Sequence, residues 1–355
     1  MSLIDQLGMR VPIIQAPMAG TSTPALAAAV TEAGGLGSIA FGAVDAGAAG
    51  EMVSDLRART SGPFNINLFV HAAPVHDPGR ELAWIEALTP LFHQHGAQPP
   101  SRLRAIYRSF IEPDDAMMAV LLDARPRVVS FHFGLPPAEK AAALKQAGAI
   151  LFATATSLAE AKAARDAGMD ALVAQGWEAG GHRGIFDPAG PDERLGTLDL
   201  TRLLAREAGL PVVAAGGIMD GAGIAAALDA GAVAAQLGTA FVGCPESAAD
   251  AAYRRALAGD AARHTVMVDA ISGRPARCLA NRFTRWAQDH AALPRPGYPM
   301  VYDAGKALNA AARAVGEHGY GAQWAGTGAP RSRPMPAADL MAVLERELSE
   351  ARSAT

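Results

Sequence analysis

The stretch Met169-Asp-Ala-Leu-Val-Ala-Gln-Gly-Trp-Glu-Ala-Gly-Gly-His-Arg-Gly184 decides the fold. Its first half is a short apolar run of the kind that forms a buried strand. Its second half is a glycine-dense turn, and a backbone without Cβ atoms lets a ligand come close. His182 lies inside that turn, where an imidazole can hold or move a proton near neutral pH. The chain then stays polar and turn-rich up to Asp199. A strand that runs into such a loop reads as the floor of an active site.

Outward from this unit, the same alternation recurs. Strands are expected at 12–17, 36–40, 64–70, 128–132, 150–154, 170–175, 211–215 and 233–237. Helices at 24–33, 45–59, 157–167, 199–208 and 221–229 lie between them, and Gly34-Gly35 stop the first. Short strands buried on both faces imply a parallel sheet. Eight of them fit a (β/α)8 TIM barrel, with an open doubly wound sheet as the competing arrangement.

The rhythm breaks over 71–126, a length too great for a simple βα connection. Helices are expected there at 79–97, 101–110 and 113–124. Past 249 the pattern changes again. Residues 266–279 read as a hairpin or an irregular segment, 299–316 as a helix with Pro299 as its first residue, and 337–352 as an amphipathic helix. The last three residues are expected to fray. The barrel is therefore assigned to 1–70 and 127–248. A smaller, mainly helical substrate or lid domain is assigned to 71–126 and 249–355.

The 355 residues are 50% hydrophobic and carry a formal charge of −4. That suits a tightly packed α/β enzyme and gives no reason to propose nucleic acid or an anionic membrane as partner. Two cysteines, Cys244 and Cys278, are too few for a disulfide scaffold and read as buried residues of a cytoplasmic protein. The start lacks a basic segment followed by an apolar one, so no signal peptide is expected. Asp220, Asp229 and several glycines break the apolar stretch 209–243, so no membrane span is expected. His71, His76, His93 and His95 lack carboxylate or cysteine partners at metal spacing, and no metal is assigned.

In a barrel, the loops after the strands share one face, and sites form there. The residues expected on that face include Met18, Asn67, His132, Gln175, Gly180, His182, Gly217, Gln236, Leu237, Gly238 and Thr239. Ala214-Ala-Gly-Gly-Ile218 and Gln236-Leu-Gly-Thr-Ala240 follow the last two strands. There, glycine N–H groups and the positive end of a short helix commonly bind phosphate. A phosphate-bearing cofactor with a planar ring would fill the mouth. Asn67 and Gln175, amides that both donate and accept, suit the edge of an isoalloxazine. His132 and His182 end strands two apart and could face one cavity. Tyr302 and Lys306 lie at i, i+4 on one helix face. With Tyr298 just ahead of the helix and Tyr107 in the insertion, they could bind an anionic substrate.

These residues resemble those of class I nitronate monooxygenases, formerly called 2-nitropropane dioxygenases. The matching stretches are Pro12-Ile-Ile-Gln-Ala-Pro-Met-Ala-Gly20, Phe64-Asn-Ile-Asn-Leu-Phe69, Val129-Ser-Phe-His-Phe-Gly134, Ala174 to Gly184, Ala214 to Ile218, Tyr302-Asp-Ala-Gly-Lys306 and Trp324-Ala-Gly-Thr-Gly-Ala-Pro330. Thr327 stands where the resemblance leads one to expect Gln. The resemblance implies a TIM barrel holding FMN non-covalently at Met18, Asn67, Gln175, Gly180, Gly217 and Gln236 to Thr239. It implies His182 as the catalytic histidine with His132 beside it, and a substrate pocket shaped by Tyr107, Tyr298, Tyr302 and Lys306. The implied reaction oxidises an alkyl nitronate, such as propionate 3-nitronate, with O2 to a carbonyl compound and nitrite. Two other functions fit the barrel: an NADH-dependent flavin reductase acting on a quinone or enoyl thioester, and a non-enzymatic barrel that binds a phosphorylated ligand. A homo-oligomer is compatible with all three.

Overall fold

A computed structural model describes residues 2–113 and 115–353. The expected frayed end at 353–355 thus falls mostly outside the described residues. Eleven strands are described: β1 (Ile13–Gln15), β2 (Gly37–Ala40), β3 (Phe64–Phe69), β4 (Val128–His132), β5 (Ile150–Ala155), β6 (Ala171–Gln175), β7 (Gly181–His182), β8 (Val212–Ala215), β9 (Ala234–Leu237), β10 (Thr265–Val268) and β11 (Ala276–Leu279). Eight pair in parallel in the order β1-β9-β8-β6-β5-β4-β3-β2. A parallel bridge between Ile14 and Leu36 joins the two ends and closes the barrel.

Side chains alternate across each strand. Ile14, Val128, Phe152, Val173 and Val213 share an inner core with Leu3 and Leu7 of the N-terminal helix Leu3–Leu7. Ile13 and Leu237 point the other way, into an outer layer with Leu26, Ile224 and Leu344 of the surrounding helices. The barrel is thus filled at its N-terminal end, and a cavity is left at the other.

A separate core joins the two segments that broke the rhythm. Trp84, Leu88, Phe92 and Leu103 pack with Ile271, Phe283, Val301, Leu308 and Tyr320. Helix Pro78–Gln94 matches expectation, as does Asp115–Ala124. The helix expected at 101–110 is not formed. Pro99-Pro100 precede the segment, and the Arg104 main-chain N–H and guanidinium both donate to Asp303 at 3.0–3.3 Å. These bonds hold an extended strap against helix Met300–Ala314. That helix begins one residue later than expected, with Pro299 as its N-cap. A small antiparallel sheet, β10-β11-β7, was not expected beyond its hairpin. It pairs Ala276 with His182 and Arg277 with Gly181, so the tail grips the glycine loop.

Candidate functional site

A cavity of about 640 Å³ opens at the C-terminal ends of the barrel strands, within the range of small-molecule and cofactor sites. Met18, Asn67, His132, Gln175, Gly180, His182, Gly217, Gln236, Gly238, Thr239, Tyr107, Tyr302 and Lys306 all line it. Two expected residues do not. Leu237 alternates outward from Gln236 and is buried among the outer helices. Tyr298 is packed behind His182, with ring centres 4.9 Å from His71, 5.5 Å from Phe133 and 5.7 Å from His182.

The His182 loop is held from several sides. The His182 carbonyl accepts from Gln175 Nε2 at 2.9 Å and from His132 Nε2 at 3.1 Å. Gln175 Oε1 accepts the Gly184 N–H at 2.7 Å. A Cβ on Gly184 would lie 2.9 Å from His132 Cε1, so glycine is needed for this approach. Arg183, fully buried, forms a forked pair with Asp192 at 2.8 Å on both arms and donates to the Gln175 carbonyl. Gly180 meets the tail so closely that a Cβ would lie 2.4 Å from the Gly326 nitrogen.

His132 is locked at both nitrogens. Its Nε2 must donate to the His182 carbonyl, so Nδ1 accepts from Thr154 Oγ1 at 3.0 Å. His182 Nε2 meets Ser272 Oγ at 2.9 Å. Burial, with smaller contributions from nearby cations, lowers the His132 pKa to about 4 and that of His182 to about 3. Both rings are neutral near pH 7. Among the nearby cations is the Arg274 guanidinium, 4.3 Å above the Phe133 ring and bonded to the main-chain carbonyl of Ile185.

On the opposite wall, Asn67 Nδ2 is committed to Ser130, which leaves Oδ1 without a protein partner. The Gln236 amide has no hydrogen-bond partner among the described residues, and the main-chain N–H groups of Gly217 and Gly238 have none either. The helix after Gly238 is the single turn Thr239–Val242. Free N–H groups, more than a helix dipole, therefore make this edge receptive to an anion. Gly20 and Gly181 both take positive φ, and a Cβ on either would project into open space.

Lys306 Nζ sits 4.9 Å from the Tyr107 ring centre and 5.6 Å from that of Tyr302. The nearest carboxylate, Asp303, is engaged by Arg104. Burial raises the Tyr107 pKa to about 12 and also raises that of Tyr302, so both phenols keep their protons at neutral pH.

Sequence reasoning missed Ser272, Arg274, Thr154 and Trp324, whose ring lies 5.0 Å from that of His182. Thr154 and Ser272 carried no motif. Their relation to the histidines depends on strand register and on a hairpin closing over the barrel.

A family model described as nitronate monooxygenase matches residues 1–347. The chain is 58% identical over 349 residues to a nitronate monooxygenase of Paraburkholderia phytofirmans, covering 98% of this chain and 95% of the relative. It is 54% identical over 342 residues to one of Pseudomonas aeruginosa, covering 96% and 97%. Among solved structures, a nitroalkane oxidase from Streptomyces ansochromogenes superimposes with a TM-score of 0.89 at 40% identity, covering 99% of each chain. FabK from Thermotoga maritima superimposes at 0.75 with 29% identity, covering 99% and 97%.

Proposed function

The chain belongs to the nitronate monooxygenase family, and from that premise we propose that it oxidises small alkyl nitronates with O2 to a carbonyl compound and nitrite, using FMN at the barrel mouth. The observation that carries this reading is one cavity with neutral histidine on one wall and unpaired amide and main-chain N–H donors on another. The donor set fits a flavin mononucleotide. Asn67 and Gln236 offer neutral polar groups to a ring edge, and Gly217, Gly238 and Thr239 line an edge suited to a phosphate. Met18 gives an apolar surface, and Gly181 and Gly20 leave the open space a ring needs. Leu237 could contribute only main chain. FMN, when bound, supplies the electron acceptor that amino-acid side chains lack.

The chain's own residues bind and orient the substrate. Lys306, with no carboxylate of its own, attracts the anionic nitronate, and the Tyr107 and Tyr302 hydroxyls can donate to its oxygens. Neutral His182 faces the same space. His132 and Gln175 hold the His182 loop by its carbonyl and act as positioning residues. Tyr298 supports the His182 ring from behind. Within the segments 71–126 and 249–355, the parts that share one core, Trp84 to Leu103 and Ala270 to Tyr320, act as a substrate domain whose helix Met300–Ala314 closes the outer side of the cavity, whereas Met117, Leu121 and the helix Ala337–Ser353 pack on the barrel. No helix among the described residues is long and apolar enough to cross a membrane.

The test is the purified protein's absorbance, the identity of flavin released on denaturation, and nitrite formed from propionate 3-nitronate in air. Yellow protein that releases FMN and forms nitrite is the expected result. Colourless protein that forms none overturns the proposal. Rapid reduction by NADH, without nitrite formation, identifies a flavin reductase instead.

A further inference from the structure

Among the residues that line the cavity, those charged at neutral pH are Lys306, Arg313 and Asp250, since His132 and His182 are neutral there. Both cations come from helix Met300–Ala314. Tyr302, Lys306, Asn309 and Arg313 all line the cavity, and their spacing of three or four residues puts them on one face of that helix. Tyr302 is the inner end of this row, with its ring centre 6.1 Å from that of His182. Arg313 follows Lys306 by two helical turns, a rise of about 10 Å, and is exposed. The row therefore runs from the histidine outward to solvent.

At the outer end, Arg313 pairs with Asp250 Oδ2 at 3.2 Å. The other carboxylate oxygen accepts the Tyr253 main-chain N–H at 2.8 Å and caps helix Ala251–Ala258. No other described group bonds the Arg313 guanidinium. The two side chains are 49% and 38% exposed, a setting in which an ion pair contributes about 0–1 kcal/mol. An arriving anion can therefore take the place of Asp250 at little cost. The neighbours of Asp250 on the lining, Ala248, Ala249 and Tyr253, carry no charge that would oppose this exchange.

We propose that Arg313 is the outer contact of an anion track: it meets the nitronate at the mouth in exchange for Asp250, passes it inward to Lys306, and meets the departing nitrite in turn. The inference rests on the nitronate reading for its substrate. No covalent bond changes in this step, since one anion replaces another at a guanidinium. Arg313 thus governs capture of the substrate and leaves the chemistry to the inner residues. Asp250 acts as a brake, because it cancels one of the two positive charges on the lining. Charges around a cleft raise the capture rate of an oppositely charged ligand, and salt abolishes the effect.

The experiment is kcat/KM for ethyl nitronate at low and high ionic strength, about 0.01 M and about 0.5 M, where the screening length falls from about 30 Å to a few ångströms. At low salt, Arg313→Gln should lower kcat/KM about threefold and Asp250→Asn should raise it about twofold, with the change falling on KM more than on kcat. Asparagine caps a helix as well as aspartate does, so the second variant removes the charge and keeps the fold. At high salt both variants should converge on the wild type. A loss in Arg313→Gln that is equal at both salt concentrations, no loss at all, or slower capture in Asp250→Asn overturns the proposal.

A second readout needs no turnover. Trp324 lines the same cavity, and its fluorescence, isolated by difference from Trp324→Phe, reports which quenchers enter. Iodide, an anion, should quench it less in Arg313→Gln and more in Asp250→Asn when added at low ionic strength to the purified protein. Neutral acrylamide should quench all three proteins alike. Iodide quenching that does not differ between the variants, or acrylamide quenching that shifts in parallel with it, overturns the proposal. Because quenching does not depend on nitronate oxidation, failure of the nitronate reading and failure of this inference are distinguishable.

Discussion

His132 Nε2 donates to the main-chain carbonyl of His182 at 3.1 Å, so the histidine that ends β4 holds in place the loop that carries the other. The two rings line one cavity, but they play different parts. His132→Ala leaves the carbonyl with Gln175 as its remaining donor. The expected cost is about 1 kcal/mol in stability, with a fall in kcat/KM of about tenfold or more because the His182 loop loosens. Urea unfolding and steady-state kinetics on the same variant check both.

The buried Arg183–Asp192 pair anchors that loop from below. Burial opposes ionisation of Asp192, but the hydrogen bonds from Arg183 outweigh it and hold the carboxyl below its ordinary 3.8. A carboxyl depressed on folding adds stability above its unfolded pKa and loses it as pH falls through the folded one. The pair should therefore weaken below about pH 4. Asp192→Asn should cost about 3 kcal/mol at neutral pH, since it leaves a buried guanidinium unpaired. Melting curves at pH 7 are the check.

The two histidines shift stability with the same sign. Their folded pKa values, about 4 and about 3, lie below the unfolded value. Between those values and roughly pH 6.5 the unfolded chain binds more protons. Stability should be full above that point and fall as pH drops toward the folded values, by on the order of 2 kcal/mol for each histidine between pH 7 and pH 5. Replacing His132 by Asn should reduce the pH dependence. Activity on preformed nitronate should show no histidine titration from pH 5 upward.

Neighbouring glycines should respond differently. A methyl on Gly180 would press on the backbone of Ala325 and Gly326, whereas one on Gly181 meets nothing within 4 Å. Gly180→Ala should lower the melting temperature and displace the tail. Gly181→Ala should fold with a penalty of about 1 kcal/mol for its positive φ but retain less flavin, because the methyl enters the open space. Flavin-to-protein absorbance ratios separate the two outcomes.

Lys306 is a cation between two phenol rings without a carboxylate partner of its own. Lys306→Met should raise KM for nitronates about tenfold while changing kcat less, the pattern of lost binding rather than lost chemistry. Steady-state assays over a range of nitronate concentrations are the check.

Much of this architecture was legible in the chain because each strand is short, apolar and punctuated by glycine or proline. The eight barrel strands lie where that pattern places them. The extended strap at 101–110 was not legible, because a distant partner, Asp303, binds its backbone and overrides local helical preference. Leu237 and Tyr298 read as lining residues from their position in the sequence. Strand alternation turns the first outward, and ring packing draws the second behind His182. The Ser272 contact could not be read at all, since it joins residues 90 positions apart.

The central claim is tested most directly by mixing the purified protein with propionate 3-nitronate under anaerobic conditions and following absorbance. The account predicts a flavin spectrum that changes within the mixing series, no comparable change with NADH, and nitrite once air is admitted. A flavin that NADH reduces rapidly while nitronate leaves it unchanged would contradict it.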